Sequence, residues 1–313
     1  MEIFKKPNID FVGLRWYPIG ASILVVTLGL AAIAIRGFNY SIEFTGGSLI
    51  QVSFPAGART DVDGVRKALE GGGLQVEVQS VQSDRPTFIL REKSTEDESA
   101  VTAFADKTMA LLAKAYPGAP PSLDRKDVIG PVVGKDLRQR TLWAIVFSLL
   151  GIILYVAYQF ENPIWGFAGV VALFHDVIGV AGLFAFLGLQ VDLLIVTALL
   201  TIAGYSISDT IVIFDRMREK MRTERGLPLD VLINSSMNET LSRTVITVMI
   251  VQIVCLVLYV FGGPVLRDFA FAMVVGNILG TYSSIGVAAP LVFEYQVRVG
   301  GKKISADGGR RGK

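Results

Sequence analysis

Six stretches of this 313-residue chain run apolar for 18 residues or more, and that feature limits what the chain can fold into. They cover residues 17–35, 141–160, 164–187, 193–214, 244–261 and 269–293. About 20 helical residues cross a hydrocarbon core of about 30 Å. Inside lipid every backbone polar group must be satisfied within the protein, so such stretches are helices. The first stretch follows Lys5, Lys6 and Arg15 and contains Ala32-Ile33-Ala34, as a signal peptide would. Its apolar run exceeds the usual 7–15 residues of a cleavable segment, so it is read as an uncleaved first span. A composition of 51% hydrophobic and 19% charged residues agrees with a membrane protein. The net charge of +2 gives no sign of a nucleic-acid surface. The single cysteine, Cys255, lies inside an apolar run and leaves no intrachain disulfide to expect.

Lys and Arg favour the cytoplasmic side of short segments. Residues 1–16 carry Lys5, Lys6 and Arg15, and the segment after the fourth stretch carries Arg216, Arg218, Lys220, Arg222 and Arg225. The tail, 294–313, carries Arg298, Lys302, Lys303, Arg310, Arg311 and Lys313. Both termini are therefore expected in the cytoplasm, and residues 37–140 outside it. Segment 215–240 reads as an amphipathic helix on the cytoplasmic surface.

Residues 37–140 read as an α+β domain in the order βαββαβ, a ferredoxin-like split βαβ fold. Expected strands lie near 48–54, 74–81, 87–90 and 128–133. A helix is expected over 60–70 with Thr60 as N-cap, and a longer one from Thr95, with Glu98 completing a capping box, to before Pro117. This domain holds no histidine, and its 14 acidic and 13 basic residues nearly cancel. Gly46-Gly47 lacks the Lys-Ser/Thr and the helix of a phosphate loop. A binding or mechanical module is expected rather than an enzyme, with no cofactor or metal.

An ionisable group within a span costs at least about 2.5–3.5 kcal/mol and needs a reason. Asp209 borders a stripe of Thr197, Thr201, Gly204 and Ser208 that should face helices or a wet cavity rather than lipid. It lies five residues, about 7.5 Å, from the end of its stretch. Arg243 opens the fifth stretch with Thr247 on the same face, and the two helix ends share one side of the membrane. A carboxylate facing an arginine suits proton exchange, while a snorkelling arginine beside a structural aspartate is the alternative. His175-Asp176, mid-way along the third stretch, reads either as a polar relay or as a structural pair. Gly276, Gly280 and Ser284 form a small-xxx-small seam for helix packing, with Asn277 and Thr281 beside it.

Several blocks together carry a family resemblance. They are Ser41-Ile42-Glu43-Phe44-Thr45-Gly46-Gly47, Ile129-Gly130-Pro131-Val132-Val133-Gly134, Ala172-Leu173-Phe174-His175-Asp176, the run Gly204 to Arg216, Thr240-Leu241-Ser242-Arg243-Thr244 and Gly280-Thr281-Tyr282-Ser283-Ser284. In this order the chain resembles the SecD/SecF family of bacterial protein-export membrane subunits, in its SecF branch, within the resistance-nodulation-division superfamily. Ser41 and Glu43 stand where the family usually has glycine and aspartate. The resemblance implies a heteromer with SecD, each subunit supplying six spans, that works with the SecYEG translocon and YajC on an unfolded preprotein. It implies that proton flow through the bilayer-embedded part moves the outside domains. It maps the proton-coupling residues to Asp209 and Arg243, with Thr247 in the same polar cluster, and implies a multi-pass protein of the bacterial inner membrane. An efflux transporter of the same superfamily and a non-transporting scaffold of the translocon are the rival readings.

Overall fold

The computed structural model describes residues 7–81, 84–92, 98–160, 163–224 and 226–308. Lys5, Lys6, Thr95, Arg225, Arg310, Arg311 and Lys313 lie outside the described residues. Among the described residues, six helices are long and apolar enough to cross a membrane. A small α+β domain follows the first.

Helix α1 (Trp16–Arg36) ends at Gly37, whose φ of 69° suits a residue without a side chain. A two-residue strand β1 (Asn39–Tyr40) and a one-turn helix α2 (Ile42–Thr45) lead to strand β2 (Gly47–Ser53). Helix α3 (Val62–Glu70), strands β3 (Glu77–Val81) and β4 (Thr87–Glu92), helix α4 (Glu98–Ala115) and strand β5 (Ser122–Ile129) complete the domain. The sheet order is β3-β4-β2-β5, and every neighbouring pair is antiparallel. This is the ferredoxin-like split βαβ arrangement, as expected. Alternation along β2 and β4 puts Ile50, Val52 and Leu90 fully inside, against Val65 and Leu69 of α3 and Leu112 of α4. Leu49, Gln51, Ile89 and Arg91 point the other way, into a chamber of about 1010 Å³ between sheet and helix bundle.

Three expectations for this domain need correction. Asp61, not Thr60, caps α3: its carboxylate accepts the Gly64 amide at 2.9 Å, while the Thr60 hydroxyl is buried without a partner. The second strand begins at Glu77, and Leu74 and Val76 fill the core from the preceding loop. The last strand is Ser122–Ile129 rather than 128–133. It is an edge strand exposed over most of its length, so it lacks the apolar alternation that marks a half-buried strand. Pro131, whose missing N–H costs nothing in a first turn, already begins the next helix.

That helix, α5 (Pro131–Gln159), runs unbroken from the domain into the bundle. Then come α6 (Pro163–Leu187), a two-residue strand β6 (Gln190–Val191), α7 (Leu193–Thr223), α8 (Leu229–Phe261) and α9 (Gly263–Ser283). A π-helical turn, Ser284–Ala288, joins α9 to α10 (Ala289–Gly308). Segment 215–240 is not a separate surface helix: α7 and α8 extend past their apolar stretches and meet in a short turn. Buried Lys220 of α7 reaches Glu239 of α8 at 2.5 Å, and Arg216 reaches the same carboxylate at 2.5 Å. The charges that suggested an amphipathic surface helix instead tie two long helices together.

Helices α6, α7 and α9 form the buried centre of the bundle, with α1, α5 and α8 outside them. Helix α1 crosses α6 at two glycines, where a Cβ on Gly182 would stand 2.2 Å from the Cα of Gly29. On the terminal side of the bundle, Asn234 and Asn238 of α8 hold residues 9–12 through main-chain hydrogen bonds of 2.9 Å. Arg15 pairs with Glu294 of α10 at 2.7 Å.

Truncating Ile50 to Ala, at the centre of the domain core, is expected to cost about 2–5 kcal/mol, whereas Asp61→Ala removes one cap and costs about 1 kcal/mol. Thermal unfolding of the full chain in detergent micelles should rank the two variants in that order.

Candidate functional site

The middle of the bundle is held by one carboxylate. Asp176 of α6 is fully buried. One of its oxygens accepts the Ser206 hydroxyl of α7 at 2.5 Å and the Ser283 hydroxyl of α9 at 2.8 Å. The other lies 2.8 Å from Nδ1 of His175. His175 is also buried, its Nε2 has no hydrogen-bond partner among the described residues, and its ring sits 6.0 Å from that of Tyr282. The Tyr282 hydroxyl donates to the Pro18 carbonyl of α1 at 2.5 Å. One turn further along α7, the hydroxyls of Thr210 and Ser284 meet at 2.8 Å. Burying a polar group without a partner is expensive, so this network fixes how α6, α7 and α9 turn towards one another. Sequence reading singled out His175 and Asp176 but missed Ser206, Thr210 and Ser283. Their signal was present, as hydroxyl residues within the fourth and sixth stretches, Ser206 and Thr210 at helical spacing.

Helix α9 and the turn after it lie against α7 along Gly276, Gly280 and Ser284. A Cβ on Gly276 would stand 2.2 Å from Ile202 of α7, and one on Gly280 would stand 3.2 Å from Ser206. Ser284 continues this line through its bond to Thr210 and opens the π-helical turn. Nothing in the residue pattern announced that turn.

Beside the network, on the outer side of α7, lies a second polar group. Asp209, Arg243, Thr247, Ser206, Asn277 and Thr281 line a cavity of about 220 Å³ between α7, α8 and α9. Asp209 is half-buried, and Arg243 is close enough for its charge to act on the carboxylate. Among the described residues no direct ion pair or hydrogen bond joins the two. Thr247 turns its hydroxyl back onto the carbonyls of Arg243 and Thr244, at 3.1 and 2.9 Å, and not towards Asp209. The side-chain amide nitrogen of Asn277 and the hydroxyl of Thr244 are buried at this cavity with no partner among the described residues. The structure therefore brings Asp209, Arg243 and Thr247 to one cavity and sets His175 and Asp176 behind it, with Ser206 shared between the two groups. Gly204 and Ser208 are exposed, as are Arg243 and Thr247. The stripe on α7 thus faces away from the chain's own helices. The Thr197 and Thr201 hydroxyls bond to their own helix at 2.8 and 2.7 Å.

The domain and the bundle meet chiefly at the turn between α6 and α7. Strand β1 pairs in parallel with β6, and the Ser41 amide donates to the Val191 carbonyl at 2.9 Å. Glu43 accepts the Leu193 amide at 2.9 Å, beside the Asp192 carboxylate that accepts the Ile195 amide. Arg91, buried on the bundle-facing side of the sheet, donates to Gln79 at 3.0 Å and to Gln190. Burial lowers the pKa of Arg91, and the negative charges of Glu77, Asp192 and Asp268 oppose that shift.

Six apolar helices, a ferredoxin-like domain after the first, and an acid and a base facing one open cavity define a polytopic membrane protein with an intramembrane charge site. Residues 112–298 match the model of the protein export membrane protein SecD/SecF, C-terminal, and residues 31–54 match the SecD/SecF GG motif. The chain belongs to the SecD/SecF family. A protein translocase subunit SecF of Endomicrobium trichonymphae is 36% identical over 300 residues, covering 95% of this chain and 94% of that one. One of Desulfurispirillum indicum is 38% identical over 294 residues, covering 93% and 92%. The crystal structure of SecDF, a translocon-associated membrane protein from Thermus thermophilus, superposes with a TM-score of 0.82 at 36% identity, over 93% of this chain and 39% of that one.

Replacing Asp176 by Ala removes the acceptor of two serine hydroxyls and of His175, and each buried donor left unpaired costs about 1–3 kcal/mol. The variant should unfold in detergent at a clearly lower temperature than wild type. Asp176→Asn, which keeps the shape and one acceptor oxygen, should fall between them.

Proposed function

We propose that this chain is an accessory subunit of the Sec protein translocase that pairs with a SecD-type partner and couples proton flow to late movement of a preprotein. One observation carries the reading: Asp209 and Arg243 share a polar cavity on a face of the bundle that the chain's own helices leave open. An arginine facing hydrocarbon at that depth is costly. A second membrane unit covering α7 and α8 removes the cost and closes the cavity around the two charges. The fused SecDF relatives support a SecD-type unit as that cover.

The chemistry follows from the neighbours. Asp209 takes up a proton and becomes neutral, and releases it under the pull of the Arg243 charge. The cavity is polar and roomy enough for water to carry protons to and from the carboxylate. Each charge that crosses the membrane releases about 2.3 kcal/mol per 100 mV, enough to change the balance of a two-state element severalfold. By the asymmetry of basic residues, both termini and the α7–α8 turn lie in the cytoplasm. The ferredoxin-like domain then lies on the far side of the bacterial inner membrane, where it meets the preprotein emerging from the SecYEG translocon, with YajC as an associated subunit.

Export of a preprotein into inverted membrane vesicles, with and without a proton gradient, tests the proposal. The gradient should stimulate vesicles carrying wild-type chain with its SecD partner. Asp209→Asn should insert normally and lose the stimulation. Equal stimulation of both would sink the proposal and leave the chain a scaffold.

A further inference from the structure

The α6–α7 turn is held by the outer domain at four successive points. Asn39 donates to the Gly188 carbonyl, Arg91 to the Gln190 side chain and the Ser41 amide to the Val191 carbonyl, while Glu43 accepts the Leu193 amide. The last contact sits at the first turn of α7, where helix amides are unpaired and a carboxylate is favoured. Asp192 already caps this helix from within, by accepting the Ile195 amide. Glu43 is therefore a second carboxylate on the same terminus, supplied by the base of the domain and not needed to start the helix.

The covalent connections of the domain lie next to this contact and turn at glycines. Gly46 and Gly47 have φ of 71° and 130°, where side-chain-bearing residues are strained. Gly47 pairs with Ile129, directly before Gly130 and the start of α5, so the chain enters and leaves the sheet at one place. A Cβ on Gly134 would stand 2.8 Å from the Gly46 amide, which seats α2 against α5 on the bundle side of these glycines. Helix α2, which carries Glu43, thus packs on the start of α5 and adjoins the pivot of the sheet. Helix α7 runs without a break from the Glu43 contact to Asp209, sixteen residues or about 24 Å along its axis.

We infer that Glu43 is a positioning residue that gears the outer domain to α7, so that displacement of α7 at Asp209 is passed to the glycine pivot at the base of the sheet. This deepens the proton-coupling reading above and rests on it.

The test measures domain position and not export alone. Spin labels are placed at Arg59→Cys in the domain and Phe261→Cys at the end of α8, both exposed sites, while native Cys255 is buried and is not labelled. The full chain with its SecD partner is reconstituted in vesicles, and the label distance is read by double electron–electron resonance with Asp or Asn at position 209. With Glu43 present, Asp209→Asn should shift the distance distribution. In a Glu43→Ala background of equal membrane abundance, the same change should leave it unmoved. If Glu43→Ala fails to insert, Glu43→Gln, which keeps an oxygen for the Leu193 amide, takes its place and should at least halve the shift. A shift of undiminished size in the Glu43 variant overturns the gearing and leaves the proton reading standing. No shift even with Glu43 present overturns both.

Discussion

A carboxylate with no exposure at the centre of a membrane bundle is the constraint on which the rest of the arrangement depends. Asp176 cannot be solvated by lipid, so the protein must supply its hydrogen bonds. It does so with hydroxyls from two other helices and an imidazole from its own. That requirement sets the rotation of α7. Ser206 must point inward to reach Asp176, and Asp209, three residues on, is then turned about 60° away from it around the helix axis. The buried hub therefore directs Asp209 to the edge of the bundle, beside Arg243 and away from the apolar core.

Close packing supplies what the hydrogen bonds alone do not. Lipid gives helices no hydrophobic reason to associate, so contact area and close approach decide the packing. Gly29 with Gly182 lets α1 lie directly on α6, and Gly276 with Ile202 does the same for α9 on α7. Nothing comparable covers the far side of α8. There Met249, Ile250, Ile253, Val254, Val257 and Val260 are exposed on the helix that also carries the cavity-lining Arg243 and Thr247. An apolar face with one charged, hydroxyl-lined notch is unlike a surface made only for lipid. It is the physical ground for a partner at this position.

The sequence shows most clearly those features that a single period or a single rare residue announces. The six apolar runs marked the spans, and ionisable residues inside them or at their edge led to Asp176, Asp209 and Arg243 without any coordinates. The βαββαβ order was legible because β2, β3 and β4 each carry at least one buried face. Strand β5 was misplaced because an edge strand such as Ser122–Ile129 carries charge on both faces and has no inward side to display. The α7–α8 hairpin was misread for a related reason. Lys220, Arg216 and Glu239 look like a solvated face in one dimension, and only the meeting of the two helices turns them into an interhelical cluster. The grip of Glu43 on Leu193 joins residues 150 apart, and no local pattern carries such a contact.

The three sets of contacts on α7 make sense together. Its first turn is held by the domain through Glu43, its middle by the Asp176 hub, and its last turns by Lys220 and Arg216 against Glu239. A helix fixed at both ends and at its centre responds to a charge change mainly as a body, because its backbone hydrogen bonds resist local bending. Its freedom lies on the open side, where the cavity separates it from α8 and no hydrogen bond to Arg243 holds Asp209 in place. On the proton-coupling reading proposed above, neutralising Asp209 removes the attraction across that gap, and the helix settles differently about the Asp176 hub. On that reading, a small rotation of α7 reaches the sheet through Glu43 and the adjoining glycine-containing connections.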